Sequence, residues 1–252
     1  DKDLPYFPIE EENPFLGWRG IRISLDHPEI FLVQIRALLR ASEGLNNLRI
    51  MLPMISNLSE LDAALALIHR AYRELTEEED YNLKLPPLGA MIEVPAAVYQ
   101  VKEIGSRVDF MSVGTNDLTQ YLLAVDRNNP RVAEIYDSLH PSVLRALKSI
   151  QEQAVSVDCQ LSVCGEMAGD PLSAVVLMGL GYKNLSMSAS SLLRVKSLML
   201  KVSREMAKEW VDEALCLSDA ASVGRFMSEA LAPFTLKKVN WSPNDTKIAN
   251  SL

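Results

Sequence analysis

Three short apolar segments of the chain each run into a polar residue that could bind a metal ion or take part in catalysis. Glu93 ends the first segment, Asp117 lies in the Gly-Thr-Asn-Asp turn after the second, and Cys164 ends the third. In a parallel α/β barrel, the carboxyl ends of the strands meet at one face and carry the catalytic groups. We therefore expect these three side chains to share one site.

Glu93 and Asp117 would suit Mg²⁺, which takes few oxygen ligands from protein and the rest from water and substrate phosphate. Spacing alone also allows a buried salt bridge for Glu93 and a helix cap for Asp117. The backbone N–H groups of residues 114–117 could bind an anion at the turn between strand and helix, or could form a capping loop without a ligand.

Arginines and a cysteine are the other candidates for this site. Arg127 follows the acidic turn and could hold a phosphate with two hydrogen bonds, and Arg19 and Arg22 could do the same, although each could also be an ordinary surface arginine. Cys164 could transfer a proton or attack as a thiolate, or could be a small buried side chain. His140 precedes a predicted helix and has no metal-ligand spacing with another histidine.

Strands and helices alternate along the chain, and these elements must position the candidate groups. The pattern predicts strands at 48–54, 88–94, 108–113, 160–164 and 184–188. Helices are predicted at 59–76, 95–105, 118–125, 132–138, 141–155, 170–179 and 190–231, and a further helix is predicted to start at Asp26 with Pro28 and Glu29 in a capping box. Such alternation indicates a parallel sheet with right-handed crossovers.

Five strands fall short of the roughly eight that close a (β/α)₈ barrel. The chain begins with Asp1 rather than methionine, so we expect a fragment of a longer protein that lacks the first strands of its barrel. Residues 1–234 are predicted to form the barrel domain, and residues 235–252 a polar tail.

Composition excludes several classes of function. A net charge of -8 argues against nucleic acid or anionic membrane as the main partner. The apolar runs are far shorter than the roughly 20 residues that span a bilayer. Three cysteines without CxxC spacing favour a reducing compartment, so we expect a cytoplasmic protein.

The ordered motifs resemble the C-terminal phosphoenolpyruvate-binding domain of enzyme I of the bacterial phosphotransferase system. The resemblance extends to about Phe234. It rests on Asn13-Pro-Phe-Leu-Gly-Trp-Arg-Gly-Ile-Arg22, Met51-Leu-Pro-Met54, Glu93-Val-Pro-Ala-Ala97, Ser112-Val-Gly-Thr-Asn-Asp-Leu-Thr-Gln-Tyr121, Ala124-Val-Asp-Arg-Asn128, Cys164-Gly-Glu-Met-Ala-Gly169 and Ser186-Met-Ser-Ala189. The Asp-Arg-Asn-Asn and Leu-His-Pro segments look more like the nitrogen-related branch of this family.

This resemblance implies a (β/α)₈ TIM barrel that uses Mg²⁺ and takes phosphoenolpyruvate as phosphoryl donor. At matching positions, Glu93 and Asp117 would hold Mg²⁺, and Asp117 would thereby also contact the substrate. Asn116, through its backbone, and the Arg127 side chain would bind phosphoenolpyruvate. Arg19 would support the phosphate.

The resemblance also implies a reaction sequence and its partners. Cys164 would protonate the enolate carbon to give pyruvate. The phosphoryl group would pass to a histidine on a separate N-terminal domain and then to a histidine-containing phosphocarrier protein, and the domain would form a homodimer. Because that domain and two substrate arginines would precede Asp1, we expect the chain alone not to turn over.

Three alternatives compete with this interpretation. The matching domain of pyruvate phosphate dikinase or phosphoenolpyruvate synthase shares the half-reaction, although Trp18 and Ser186-Met-Ser-Ala189 favour enzyme I. A Mg²⁺-dependent barrel lyase that makes and breaks C–C bonds would share the two carboxylates without needing Cys164. A sensory module that has lost catalysis is the third, and the intact set of candidate residues argues against it.

Overall fold

The computed structural model describes residues 11–78 and 81–234. Within this part of the chain, five strands form one all-parallel sheet, and their order in the sheet is their order in the sequence. They are β1 (Ile50–Leu52), β2 (Leu88–Ile92), β3 (Phe110–Gly114), β4 (Gln160–Cys164) and β5 (Asn184–Leu185). Sequential order without reversal is that of a (β/α)₈ barrel, whereas doubly wound sheets reverse their order. The predicted α/β class is confirmed.

Helices precede β1 and follow each of the five strands. In the described residues they are α1 (Ile21–Asp26), α2 (Pro28–Ala41), α3 (Leu58–Arg73), α4 (Pro95–Val98), α5 (Val101–Gly105), α6 (Thr115–Leu123), α7 (Pro141–Ser156), α8 (Glu166–Gly169), α9 (Pro171–Gly179), α10 (Ala189–Met199), α11 (Arg204–Ala214) and α12 (Ala220–Leu231). A π-helical turn at Glu74–Glu78 extends α3, and a 3₁₀ turn occupies Ala133–Ile135. None of these helices is both long and apolar enough to cross a bilayer.

The core lies on both faces of the central strand. All five residues of β3 are buried, as expected for a parallel strand covered on each side. The amphipathic helix α7 packs on the sheet and buries Val143, Leu144, Leu147 and Ile150 completely.

The predicted helix start at Asp26 was wrong. Asp26 is the last residue of α1, and α2 begins at Pro28 after His27. Glu29 does not complete a capping box, because its carboxylate contacts the His27 ring at 3.1 Å. Pro28 occupies the first helical position, as predicted, but Asp26 is the last residue of the short helix that precedes it.

Other boundaries differ because tertiary contacts override local pattern. The helix predicted at 95–105 is divided into α4 and α5 at Gln100, whose side-chain amide donates to the carbonyls of Ser56 and Ala96. The helix predicted at 132–138 is only the 3₁₀ turn, and the strand predicted at 184–188 ends at Leu185. The predicted tail at 235–252 lies outside the described residues.

In the described part of the chain, β1 and β5 each pair on one side only. Met51 of β1 is 37% exposed, so an apolar side chain is accessible on this edge strand.

Candidate active site

The carboxyl edge of the sheet brings the predicted strand-end groups together. Glu93 directly follows β2, Asp117 lies in the first turn of α6 directly after β3, and Cys164 is the last residue of β4. The register pairs Ile92 with Val113 and Gly114 with Cys164, so the three strands end side by side. The three groups therefore share one end of the sheet.

Glu93 is a buried carboxylic acid that is only 3% exposed. Its Oε1 accepts a hydrogen bond of 2.6 Å from the backbone N–H of Met54. Burial, and then the neighbouring Asp117 carboxylate, raise the pKa of Glu93 to about 7, against the lowering effects of that hydrogen bond and of Arg19. A Cβ at Gly114 would lie 2.8 Å from Glu93 Oε2, so only glycine leaves room for this carboxyl group.

Asp117 supplies a second acidic oxygen at the same place. The Asp117 carboxylate lies close enough to Glu93 to contribute, after burial, to the raised pKa of that group. Asp117 Oδ1 is buried and has no hydrogen-bond partner among the described residues. The cation nearest to it is the guanidinium of Arg127, with Nη2 at 4.0 Å from Oδ1. Asp117 Oδ1 therefore has one cation at ion-pair distance but accepts no hydrogen bond from the described residues.

These two carboxylates fit a hard divalent cation. An unpartnered buried carboxylate oxygen beside a second carboxyl group is the donor set that Mg²⁺ uses when substrate and water supply its other ligands. Within residues 11–78 and 81–234, no cluster of three or more His, Cys, Asp or Glu side chains could hold a metal. A site made of protein ligands alone, as for structural zinc, does not fit these residues.

Asn116 is held by the turn that leads into α8. Its side-chain oxygen accepts a hydrogen bond of 3.0 Å from the backbone N–H of Glu166, which leaves its own backbone N–H at the start of α6. The turn depends on Gly165, whose φ is 101° and whose Cβ would lie 2.3 Å from Thr115 Oγ1. Thr115 in turn donates to the Cys164 carbonyl at 2.8 Å.

Arg127 is positioned by α6 and by a tyrosine that follows the 3₁₀ turn. Its backbone N–H donates to Gln120 Oε1 at 3.1 Å, and Gln120 is 3% exposed. Its guanidinium lies beside the Tyr136 hydroxyl and opposes the rise in the pKa of Tyr136 that burial causes. Arg127 Nη1 is buried with no hydrogen-bond partner in the described part of the chain, so a donor remains for an anion.

Cys164 is a protonated thiol at this edge. Its Sγ donates to the Val113 carbonyl at 3.4 Å. Burial raises the pKa of the Cys164 thiol, and the charges of Glu93 and Asp117 raise it further, against the lowering effect of a Ser112 hydrogen bond. A thiol that stays protonated at neutral pH can act as an acid but is a poor thiolate nucleophile.

The two arginines of the N-terminal segment have different roles. Arg19 lies close enough to the site for its charge to lower the pKa of Glu93, and its guanidinium lies 5.5 Å from the Phe15 ring centroid. Arg22 instead donates to the carbonyls of Leu16 and Gly17 at 2.9 and 2.8 Å. Arg22 therefore braces the backbone through Nη1, and its role as a phosphate ligand stays a prediction.

His140 caps α7, since its Nδ1 accepts a hydrogen bond of 3.2 Å from Ser142 N–H.

Sequence reasoning missed Gln120, Tyr121 and Tyr136, which hold the candidate groups in place. Gln120 and Tyr121 lie three and four residues after Asp117, so a helix starting at Thr115 would have placed them on the same face.

Comparison with known proteins identifies the family of the chain that carries this site. Residues 1–204 match the family described as PEP-utilising enzyme, PEP-binding domain. The chain belongs to this family. It is 56% identical over 208 residues to a protein of Salmonella typhimurium LT2 named phosphoenolpyruvate-dependent phosphotransferase system, covering 82% of this chain and 28% of that protein. It is 42% identical over 235 residues to phosphoenolpyruvate-protein phosphotransferase of Haemophilus influenzae, covering 92% of this chain and 40% of that one.

The family member described here is thus similar to part of longer proteins, because it spans 28% and 40% of these two relatives. Among solved structures, a citrate lyase from Burkholderia xenovorans LB400 has the same fold, with a TM-score of 0.51 at 17% identity over 84% of this chain and 74% of that one. At this identity the likeness concerns the fold alone.

Proposed function

We propose that the chain is the phosphoenolpyruvate-binding part of a phosphoenolpyruvate-protein phosphotransferase, the enzyme I of a phosphotransferase system. The observation that carries this proposal is the unpartnered buried oxygen of Asp117, which lies beside Glu93 and 4.0 Å from Arg127. Two neighbouring acidic groups, one with a buried oxygen that accepts no hydrogen bond, next to an arginine with a free donor, suit a metal-bound phosphorylated acid.

Substrate binding follows from the charges of this edge. Glu93 and Asp117 would hold Mg²⁺, which supplies charge neutralisation for the phosphate and for the enolate oxygen. Arg127 and the backbone N–H of Asn116 bind the substrate, and Arg19 supports its phosphate. Phosphoryl transfer has a loose transition state, so such positioning and neutralisation provide most of the catalysis.

The products require a proton donor. When the phosphoryl group passes to a histidine nitrogen, the C–O–P bridge breaks at phosphorus and pyruvate enolate remains. Cys164 gives its thiol proton to the enolate methylene carbon, which yields pyruvate, and solvent then restores the thiol. The raised pKa of Cys164 supports this role because it keeps the proton available at neutral pH.

The partners of the reaction lie outside this chain. The accepting histidine is on a separate N-terminal domain, and a histidine-containing phosphocarrier protein takes the phosphoryl group from it. We place the enzyme in the cytoplasm as a homodimer. The chain alone is expected to transfer no phosphoryl group to a carrier protein, and detection of such transfer would contradict this expectation.

Binding of phosphoenolpyruvate to the full-length protein tests the proposal. With Mg²⁺ present, calorimetric titration should show binding to the wild type, and Asp117→Ala should weaken it about 100-fold or more because the metal loses a ligand. Asp62→Ala is the matched control, since Asp62 pairs with Arg107 on the surface at 2.9 Å. Unchanged affinity in Asp117→Ala would refute the assignment.

A further inference from the structure

One tyrosine hydroxyl joins the segment that carries Arg19 to the helix that carries Asp117. Tyr121 Oη donates a hydrogen bond to the Phe15 carbonyl. The same oxygen accepts a hydrogen bond of 3.5 Å from Arg19 Nη1. The Arg19 guanidinium also lies over the Phe15 ring, so the three groups form one contact.

Tyr121 is suited to donate and accept at once. Burial is the largest cause of the raised pKa of Tyr121, and the carboxylates of Asp117 and Glu93 raise it further against the effects of Arg19 and Arg22. The hydroxyl therefore stays neutral at physiological pH, with one proton for the Phe15 carbonyl and a lone pair for Arg19.

Residues 11–22, which carry Arg19, are held together by their own hydrogen bonds. Their contacts with the barrel therefore decide where the Arg19 side chain points. Arg22 holds the carbonyls of Leu16 and Gly17, and the Trp18 backbone N–H donates to Glu11 Oε1 at 2.8 Å. Tyr121 is in the second turn of α6, four residues after Asp117, and so lies on the same face of that helix.

We propose that Tyr121 is a positioning residue that orients Arg19 toward the phosphate of the substrate held at Asp117. This inference rests on the proposed function, in which Arg19 supports that phosphate. Loss of the hydroxyl removes this hydrogen bond and leaves the Phe15 ring as the contact described for the flexible arginine side chain. The affinity for a phosphorylated ligand should then fall, while groups held by Asp117 and Arg127 keep their places.

Binding by the full-length Tyr121→Phe variant tests this role with two ligands in the presence of Mg²⁺. Phosphoenolpyruvate carries a phosphate, whereas oxalate resembles pyruvate enolate and has none. We expect the Kd for phosphoenolpyruvate to rise about tenfold and the Kd for oxalate to change less than about twofold, because one hydrogen bond to a charged group is lost. Tyr72→Phe is the matched control, since Tyr72 also donates to a backbone carbonyl, that of Leu83, at 3.1 Å.

A double-mutant cycle separates positioning from a structural role. In an Arg19→Ala background, Tyr121→Phe should cause no further loss of phosphoenolpyruvate affinity, because the two residues act through one contact. Additive losses, equal weakening of oxalate, or unchanged phosphoenolpyruvate binding in Tyr121→Phe would each overturn the inference while the proposed function stands. A wild type that binds neither ligand would refute the proposed function and this inference together.

Discussion

The two ends of the same sheet differ in whether their polar side chains have hydrogen-bond partners within the chain. At the amino edge, Arg49 donates to Gln160 at 2.7 Å and lies 4.3 Å from the Phe110 ring centroid. Asp109 accepts a hydrogen bond of 2.7 Å from the Leu88 backbone N–H. These polar groups have partners within the chain.

At the carboxyl edge, three buried polar atoms have no hydrogen-bond partner in the described part of the chain. In the described residues, the buried side-chain atoms that lack a hydrogen bond are Asp117 Oδ1, Thr119 Oγ1 and Arg127 Nη1, and all three lie on α6 or in the loop after it. Burying such atoms destabilises a fold by about 1–3 kcal/mol each. This difference supports the ligand site proposed at the carboxyl edge.

Matched substitutions at the two edges test this comparison, and the largest effect is expected for the arginines. Arg127→Ala should lower kcat/KM for phosphoenolpyruvate about 10³-fold, because in the proposed function Arg127 is a charged donor to the substrate. Arg49→Ala should leave kcat/KM unchanged. Phosphoryl transfer by the full-length proteins measures both, and equal losses would mean that the two edges do not differ in function.

The cysteines form a second pair, with a smaller expected effect. Cys164→Ala should slow pyruvate release about 10²-fold, because general acid catalysis of enolate protonation is lost. Cys159 lies at the other end of β4, directly before Gln160, and Cys159→Ala should not change the rate. A coupled pyruvate assay measures both variants. If pyruvate release in Cys164→Ala matches the wild type, another group supplies the proton.

The third prediction concerns stability in the absence of metal. The pKa of Glu93 is raised to about 7, so its favourable contribution to folding is complete below its usual pKa near 4.5 and is lost as the pH rises to about 7. Glu93→Gln stays neutral and can still accept from Met54. It should therefore raise the free energy of unfolding of the metal-free protein at about pH 8 by up to about 3 kcal/mol, and hardly change it at about pH 4.5.

Glu74 is the control for this pH dependence, because its shift has the opposite sign. Hydrogen bonds from Arg36 and Arg70 lower the pKa of Glu74, so its contribution is present above its usual pKa and is lost on acidification. Glu74→Gln should lower the melting temperature at about pH 8. A destabilised Glu93→Gln at that pH would show that the ionised carboxylate has a partner after all.

The sequence predicted the positions of the strand-end residues better than it predicted the helices around them. Short, continuously apolar strands place Glu93 and Cys164 at the sheet edge by local pattern alone, and β4 was predicted with its observed bounds. Asp26 shows the opposite case. Its capping residues are a real local signal for a helix start. Asp26 instead ends the short helix α1, which tertiary contacts stabilise.

The groups that hold the site together were not predictable, because their partners are distant in sequence. Tyr121 contacts Phe15, 106 residues away, and Arg19, 102 residues away. No local pattern identifies such pairs. The position of Gln120 on the buried side of α6 depends on the helix starting at Thr115, whereas the apolar pattern predicted a start at 118. This difference of three residues in the helix start decides whether the Gln120 side chain faces the loop of Arg127.

The smallest expected effect is at Asp109, on the amino edge. Asp109→Ala removes the acceptor of the Leu88 backbone N–H, and Leu88 is only 4% exposed. A buried donor without its partner should lower the free energy of unfolding by about 1–2 kcal/mol. Phosphoenolpyruvate affinity should stay the same, because the strands keep their register through the neighbouring backbone bonds. Chemical denaturation and calorimetric titration of one preparation measure both quantities. If the affinity falls by more than the lower stability explains, the two edges are coupled through β3.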